Sequence, residues 1–289
     1  ISFTDIRYLR RTLDDFGEKK GYVLVFVSTG CPIANRYLPR LAKMEKQYRK
    51  SGSMSRVHLV IPDSHVNPSH KNSRFDALGK LILDLRPDVV VDIGDSADMD
   101  SLCSYDKGKE GYDARRYLDD VNAYKDAMDR LWHPIKRAKK KLPVRIKCRG
   151  NHEERINTAK TYAGPFSGTF GLDDLEETRY NDIVSELGDA VEVDGVYYNH
   201  YCPTPILNKP LGGVNPARAI LKQEHRSTTV GHSHLRSFAE ERGILGMVVG
   251  CYMDYHAGYA KQANNNWWRG VVIKRGVEGG YYDHEWVSL

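Results

Sequence analysis

A chain of 289 residues that is 40% hydrophobic and 28% charged is long enough to bury one large α/β core, or a domain of about 200–250 residues beside a small partner. Its longest uninterrupted apolar run, Tyr22 to Val27, falls far short of the ~20 residues of a bilayer-spanning helix, which excludes a helical membrane span, and no membrane partner is expected. The net charge of +5 suggests nucleic acid until it is divided: residues 1–53 hold 11 Lys/Arg against 5 Asp/Glu, or +6, and residues 54–289 carry −1, so the basic excess says nothing about the larger part.

In chain order, the pattern predicts a helix near Ile6–Phe16, a short buried strand at Tyr22–Val27 and a helix from about Ala34 to Arg49. This α-β-α unit of about 50 residues is marginal for independent folding. Ser51-Gly52-Ser53 has linker composition, and Met54 fits an original start. We therefore expect a segment over 1–50, a linker over 51–53 and a main domain over 54–289. Strands follow at 57–62, 89–93, 144–148, 196–199, 227–230, 246–250 and 270–275, separated by longer stretches, which is the spacing of a layered α/β fold. A helix over Ser73–Leu85 places Phe75, Leu78, Leu81 and Ile82 on one face. Asp113–Lys140 repeats apolar residues at helical spacing until Pro134, which is expected to kink or end the helix. Residues 101–112 and 158–171 read as loops able to rim a site, and Gly276–Gly280 as the turn of a terminal hairpin.

Five clusters each follow a strand-like run: Asp63-Ser64-His65; Gly94-Asp95; Gly150-Asn151-His152-Glu153; His200; and Gly231-His232-Ser233-His234. Residues just past strand ends lie where α/β folds build their sites. Two carboxylates, one amide oxygen and four imidazoles besides His152 suit borderline divalent metals, and seven ligands suit two ions with one shared. Each cluster alone is commonly a turn, a cap or a half-buried strand residue; the order and joint occurrence carry the signal.

That order, D-x-H, G-D, G-N-H-E, H, G-H-x-H, resembles the calcineurin-like metallophosphoesterase superfamily over Ser55 to Leu235. The segments IPDSH, RPDVVVDIGDSADM, SYDKGK and WWRGVVIKR are similar to its phage-encoded branch, extending the likeness to Leu289. The resemblance implies a four-layer α-β-β-α sandwich carrying a small N-terminal α-β-α appendage. It implies two divalent metal ions, manganese, iron, zinc or nickel, with Asp63, His65 and His234 on one, Asn151, His200 and His232 on the other, and Asp95 bridging. It implies that His152 stabilises the transition state or protonates the leaving oxygen while a metal-bound hydroxide attacks phosphorus in line. The activity implied is hydrolysis of phosphodiesters, with promiscuous phosphomonoesterase activity, on a small molecule or nucleic acid; the alternative is a DNA or RNA nuclease. Protein phosphatases of the superfamily continue Asp-Arg-Gly after the Gly-Asp block, whereas Asp95 here is followed by Ser96-Ala97-Asp98-Met99, which counts against a phosphoprotein substrate.

The run Lys136–Arg149 has eight basic and no acidic residues. It either guides a polyanion or closes a helix and lines the polar side of a strand. Arg149 is its candidate substrate contact. His256 reads as a loop histidine, and Trp267-Trp268 as packing rather than base stacking. Cys31-Pro32, in FVSTGCPIANRYLPRL, resembles the strand-to-helix junction of redoxin-type thioredoxin folds. The fold's remaining strands are missing before the linker, so a truncated redoxin fragment carried by fusion is expected in preference to a working thiol redox protein. The five cysteines form no CxxC pair and the N-terminus has no secretory pattern, so a reducing, cytoplasmic setting is expected.

Overall fold

The computed structural model describes residues 2–4, 10–12, 56–138 and 140–289. The chain divides into two compact units, Ile1–Met54 and Ser55–Leu289. In the smaller unit, β1 (Ser2–Thr4) pairs antiparallel with β2 (Arg10–Thr12), Phe3 opposite Arg11. Arg10–Thr12 therefore do not belong to the helix expected near Ile6–Phe16, because cross-strand bonding to Ser2–Thr4 replaces the bonds within a helix that local spacing alone suggests. The expected elements at 22–27 and 34–49, the linker at 51–53 and Cys31 lie outside the described residues.

The larger unit holds two sheets. In the first, β3 (Arg56–Ile61), β4 (Val89–Asp92), β5 (Val144–Cys148) and β6 (Ile183–Ser185) run parallel, β12 (Gly270–Glu278) pairs antiparallel with β3, and β13 (Tyr281–Ser288) pairs antiparallel with β12 at the edge. In the second, β11 (Ile244–Val249), β9 (Thr228–Val230) and β8 (Val196–Asn199) run parallel, flanked by antiparallel β10 (Arg236–Glu241) and β7 (Val191–Val193). Period-two alternation assigns the faces. Leu59, Ile61 and Val90 meet Phe75, Leu78, Tyr124, Met128 and Leu131 of α1 (Arg74–Leu85) and α2 (Tyr117–Arg137). Val60, Val89 and Val91 turn the other way, toward Tyr198, Met247 and Val249 of the second sheet. On that sheet's outer face, Ile220 joins Val230 and Val248 in one cluster, bringing in helix Pro216–Glu224. The result is the expected mixed α/β architecture in four layers. Its central strands are continuously apolar because both faces are covered.

Two helices complete the frame between β5 and the second sheet, α3 (Glu154–Tyr162) and the short α4 (Glu177–Tyr180), which makes the outer helix α5. The first part of the stretch read as a loop at 158–171 is thus the end of α3. Pro134 lies inside α2, which continues to Arg137. The ring removes only one donor, and tertiary contacts hold the last turn: Ile135 is buried in the helix-side core. Gly79 packs where a Cβ would stand 3.0 Å from the carbonyl oxygen of Leu131, so the glycine sets how closely α1 approaches α2. The terminal hairpin forms, but β12 runs to Glu278 through a register shift and only Gly279-Gly280 turns the chain. Among the described residues, no helix is long and apolar enough to cross a membrane.

Candidate metal centre

The five clusters all meet at one edge, beyond the C-terminal ends of β3, β4, β5, β8 and β9. Backbone bonds join the loops before any side chain is considered. His65 N donates to Asp95 O at 2.9 Å, Gly231 N to His200 O at 3.0 Å, and Trp268 N to His234 O at 3.0 Å. Two close approaches require glycine. A Cβ on Gly150 would lie 2.1 Å from Asp95 Oδ1, and one on Gly231 2.2 Å from Asp63 Oδ1. Gly150 is thus needed for clearance. His65, Asp95, His232 and His234 all have φ between 43° and 66°, a left-handed conformation that non-glycine residues hold only where the surroundings over-determine it, typically at functional sites.

Side chains converge in two adjoining groups. Asp63, His65 and His234 present ligand atoms to one another, with His65 Nε2 3.0 Å from His234 Nε2 and Asp63 Oδ2 3.2 Å from the latter. Asp95, His200 and His232 form the second group, where Asn151 Oδ1 stands 2.8 Å from His232 Nδ1 and 3.1 Å from His200 Nε2. Asp95 Oδ2 lies between them, 3.2 Å from His200 Nε2 and 4.0 Å from His65 Nε2. All seven predicted ligand residues are therefore brought together. His200 donates Nδ1–H to Ile93 O at 3.1 Å, which aims Nε2 at the cluster.

The charges are strongly coupled. Burial opposes ionisation of Asp95, but His200 and His152 hold its carboxyl well below the usual range. Burial likewise opposes a charged His200, yet Asp95 and Asp63 raise it to about 9. Burial and the neighbouring His200 push His232 down to about 4. Such a set suits divalent cations, whose charge replaces the protons these imidazoles otherwise share. A structural observation supports the fit: Asp63 Oδ1 is buried without a hydrogen-bond partner, a costly state for a carboxylate oxygen unless a cation faces the group.

His152 is placed by residues whose roles were not recognised from sequence. Its Nδ1 lies 2.8 Å from Asp98 Oδ1, and its Nε2 is 3.2 Å from Arg155 Nη2. Because arginine only donates, Nε2 is the acceptor and Nδ1 carries the proton toward Asp98. Asp98 Oδ1 also lies 3.1 Å from His65 Nδ1, so one carboxylate orients both rings. Glu153 is a buried hub: Oε1 accepts from Ser96 N (2.7 Å), Ala97 N (3.0 Å) and Lys147 Nζ (3.0 Å), and Oε2 from Asp95 N (3.0 Å) and Gly150 N (2.9 Å). The signal was present, since Asp98 and Glu153 lie inside the quoted motifs, but nothing local distinguishes a ligand from the group that orients it.

The structure corrects two readings of the basic run. Arg149 donates to Glu177 Oε2 at 2.7 Å and to Glu186 Oε1 at 2.5 Å, so its guanidinium is committed to carboxylates and Arg155 is the arginine beside the cluster. Arg145 and Lys147 share a strand face, but α2 covers it and Lys147 is fully buried. Burial opposes the ammonium's charge, yet Asp92 and Glu153 raise its pKa well above normal, and it sits 5.4 Å from the centre of the Tyr124 ring. Trp267 packs edge-on against His234 with centroids 4.2 Å apart, and Trp268 against Trp286. His256 is exposed in the cleft described next.

Two clefts flank the centre. One of about 620 Å³ includes His65, Asp98 and His256; the other, about 490 Å³, reaches Asn151 and Arg155 and is walled by the 101–112 loop and α3.

No protein-family model and no curated protein matches this sequence. Among solved structures, the chain is similar to vacuolar protein sorting 29 from Cryptosporidium parvum (TM-score 0.42, 12% identity, 82% of this chain and 99% of that one). It is also similar to wild-type Vps29 complexed with zinc from Entamoeba histolytica (0.37, 14%, 80% and 98%) and to a conserved uncharacterized protein, a predicted phosphoesterase, from Streptococcus pneumoniae TIGR4 (0.35, 12%, 81% and 98%). At such scores the likeness carries no argument, and the chemistry below rests on this chain's own residues.

Proposed function

We propose that this protein is a binuclear metal-dependent phosphoesterase that hydrolyses phosphodiesters, with phosphomonoesters as secondary substrates. The observation that carries the reading is the convergence of seven nitrogen and oxygen donors from five strand ends, with a buried carboxylate oxygen of Asp63 left without a donor. Asp63, His65 and His234 would hold one ion, Asn151, His200 and His232 the other, and Asp95 both; manganese, iron, zinc and nickel all suit the set. When bound, such ions supply a water nucleophile of lowered pKa and neutralise phosphoryl charge.

The chain's own residues do the rest. Asp98 holds the His152 ring by Nδ1 and leaves Nε2 directed at the cluster. Arg155 occupies Nε2 in the free protein. A phosphoryl oxygen that drew the guanidinium away would free Nε2 to carry a proton to the leaving oxygen. Asp95 and Asp98 favour the protonated ring against the burial that opposes it.

The test is hydrolysis of bis-p-nitrophenyl phosphate by the manganese-loaded chain, with and without chelator and in an Asp95→Asn variant. Chelation should abolish turnover, and the substitution should lower it by ~10²-fold or more, the scale of losing one charge-stabilising group. Turnover indifferent to both changes would sink the metal mechanism, and metal binding without ester hydrolysis would refute the hydrolase reading.

A further inference from the structure

The two clefts beside the metal cluster differ in charge. The larger is lined by four carboxylates, Asp98, Asp100, Asp106 and Glu110, against three cations, and its Arg115 is already bound to Asp100 and Asp106 at 2.8 Å each. The smaller has Lys107 and Arg155 on its walls and no carboxylate. Neither cation is in an ion pair with a carboxylate among the described residues; Arg155 is held by Asp98 O at 2.8 Å and by His152. A polyanion therefore meets a net negative lining on one side and a net positive one on the other, which favours the smaller cleft.

The smaller cleft is also walled by four aromatic rings. Tyr112 and Phe170 are backed by neighbours: Arg115 lies 5.7 Å from the Tyr112 ring centre, and Tyr117 meets Phe170 edge-on at 5.4 Å. Tyr105 and Tyr162 are 86% and 85% exposed and make no ring contact among the described residues. Two large exposed rings in a concavity that ends at Asn151 are an uncompensated apolar surface beside the reacting centre. A flat aromatic ligand would cover it, and a phosphate on that ligand would reach Arg155.

We infer that the cleft between Tyr105 and Tyr162 is a nucleobase subsite, and that the substrate is a nucleoside phosphoester whose phosphorus sits at the Asp95–Asn151 cluster while its base stacks on these rings. The inference rests on the phosphoesterase reading for its substrate, but binding can be measured apart from turnover. A nucleotide joins base and phosphate through a single sugar, as adjoining ring-lined and cationic walls require. Stacking tolerates any base, so the subsite selects for a base over none and not among bases.

The test titrates the full chain by calorimetry with AMP and with ribose 5-phosphate, in chelator so that no ester is consumed. The wild-type chain should bind AMP ~10-fold more tightly, in the range that base stacking provides. A Tyr105→Ala/Tyr162→Ala double variant should lose most of that preference, while Tyr281→Ala, an exposed tyrosine on the terminal hairpin, should keep it. Equal binding of the two ligands by wild type, or full preference in the double variant, overturns the assignment. Base-selective binding by a chain that hydrolyses no diester with any metal would refute the hydrolase reading and leave the subsite standing; diester turnover without base selectivity does the reverse.

Discussion

Replacing Glu153 by Gln tests whether a group that touches no metal governs the centre. The side chains have nearly the same shape, so no cavity term enters, and the change acts through hydrogen-bond polarity alone. Each Glu153 oxygen faces only donors: Ser96 N, Ala97 N and Lys147 Nζ at one, Asp95 N and Gly150 N at the other. Whichever way the new amide turns, its NH2 meets at least two buried backbone N–H groups. Leaving two buried donors unpaired costs ~1–3 kcal/mol each, and Lys147 keeps Asp92 at 3.3 Å but loses its closer carboxylate. The total is on the order of 3–6 kcal/mol, a large part of the 5–15 kcal/mol of a typical domain. The donors displaced belong either to Asp95 and Gly150 or to Ser96 and Ala97, directly after Asp95, so in both orientations the backbone that carries metal-ligand residues shifts and metal affinity should fall ~10–100-fold as well. Urea denaturation in chelator measures the first effect, and competition with a chromophoric chelator the second. A stability loss below ~1 kcal/mol together with unchanged metal affinity would falsify the hub.

His58 is buried between the sheets, with Nδ1 2.7 Å from Tyr198 Oη and Nε2 2.8 Å from Asp194 Oδ2, and burial lowers its pKa to about 4 despite the aspartate. The unfolded chain binds that proton near pH 6.5 and the folded one does not, so stability should fall between pH 6.5 and 4 by on the order of 3 kcal/mol; a His58→Gln variant whose acid sensitivity matched wild type would refute this. In Gly150→Ala the new Cβ would lie 2.1 Å from Asp95 Oδ1, so the carboxylate must shift. Overpacking of that kind costs ~1–3 kcal/mol, and the variant should melt lower and bind fewer metal ions by elemental analysis; full metal content would refute the clearance argument.

The positions of the eight motif residues were legible because each follows an apolar run, and the end of a buried parallel strand is a place that local pattern determines. The runs VHLVI and VVVDI were likewise legible as strands, and their apolar residues serve both faces, as Leu59 and Val60 show by entering different cores. Orientation beyond the strand ends was not legible. Arg149 and Arg155 are equally basic and equally near the motif, and only the placement of Glu177 and Glu186 commits one of them while the other reaches His152. Lys147 looked like a solvated strand residue because the sequence does not say that α2 covers its face. Arg10–Thr12 had helical spacing until Ser2–Thr4 supplied a partner strand. Sequence by itself determined which donors stand at which strand ends, since period and burial are local properties. The tertiary structure alone decided which charges meet, because the pairs Arg149–Glu177, His152–Asp98 and His200–Asp95 join groups far apart in sequence whose contact no local pattern records.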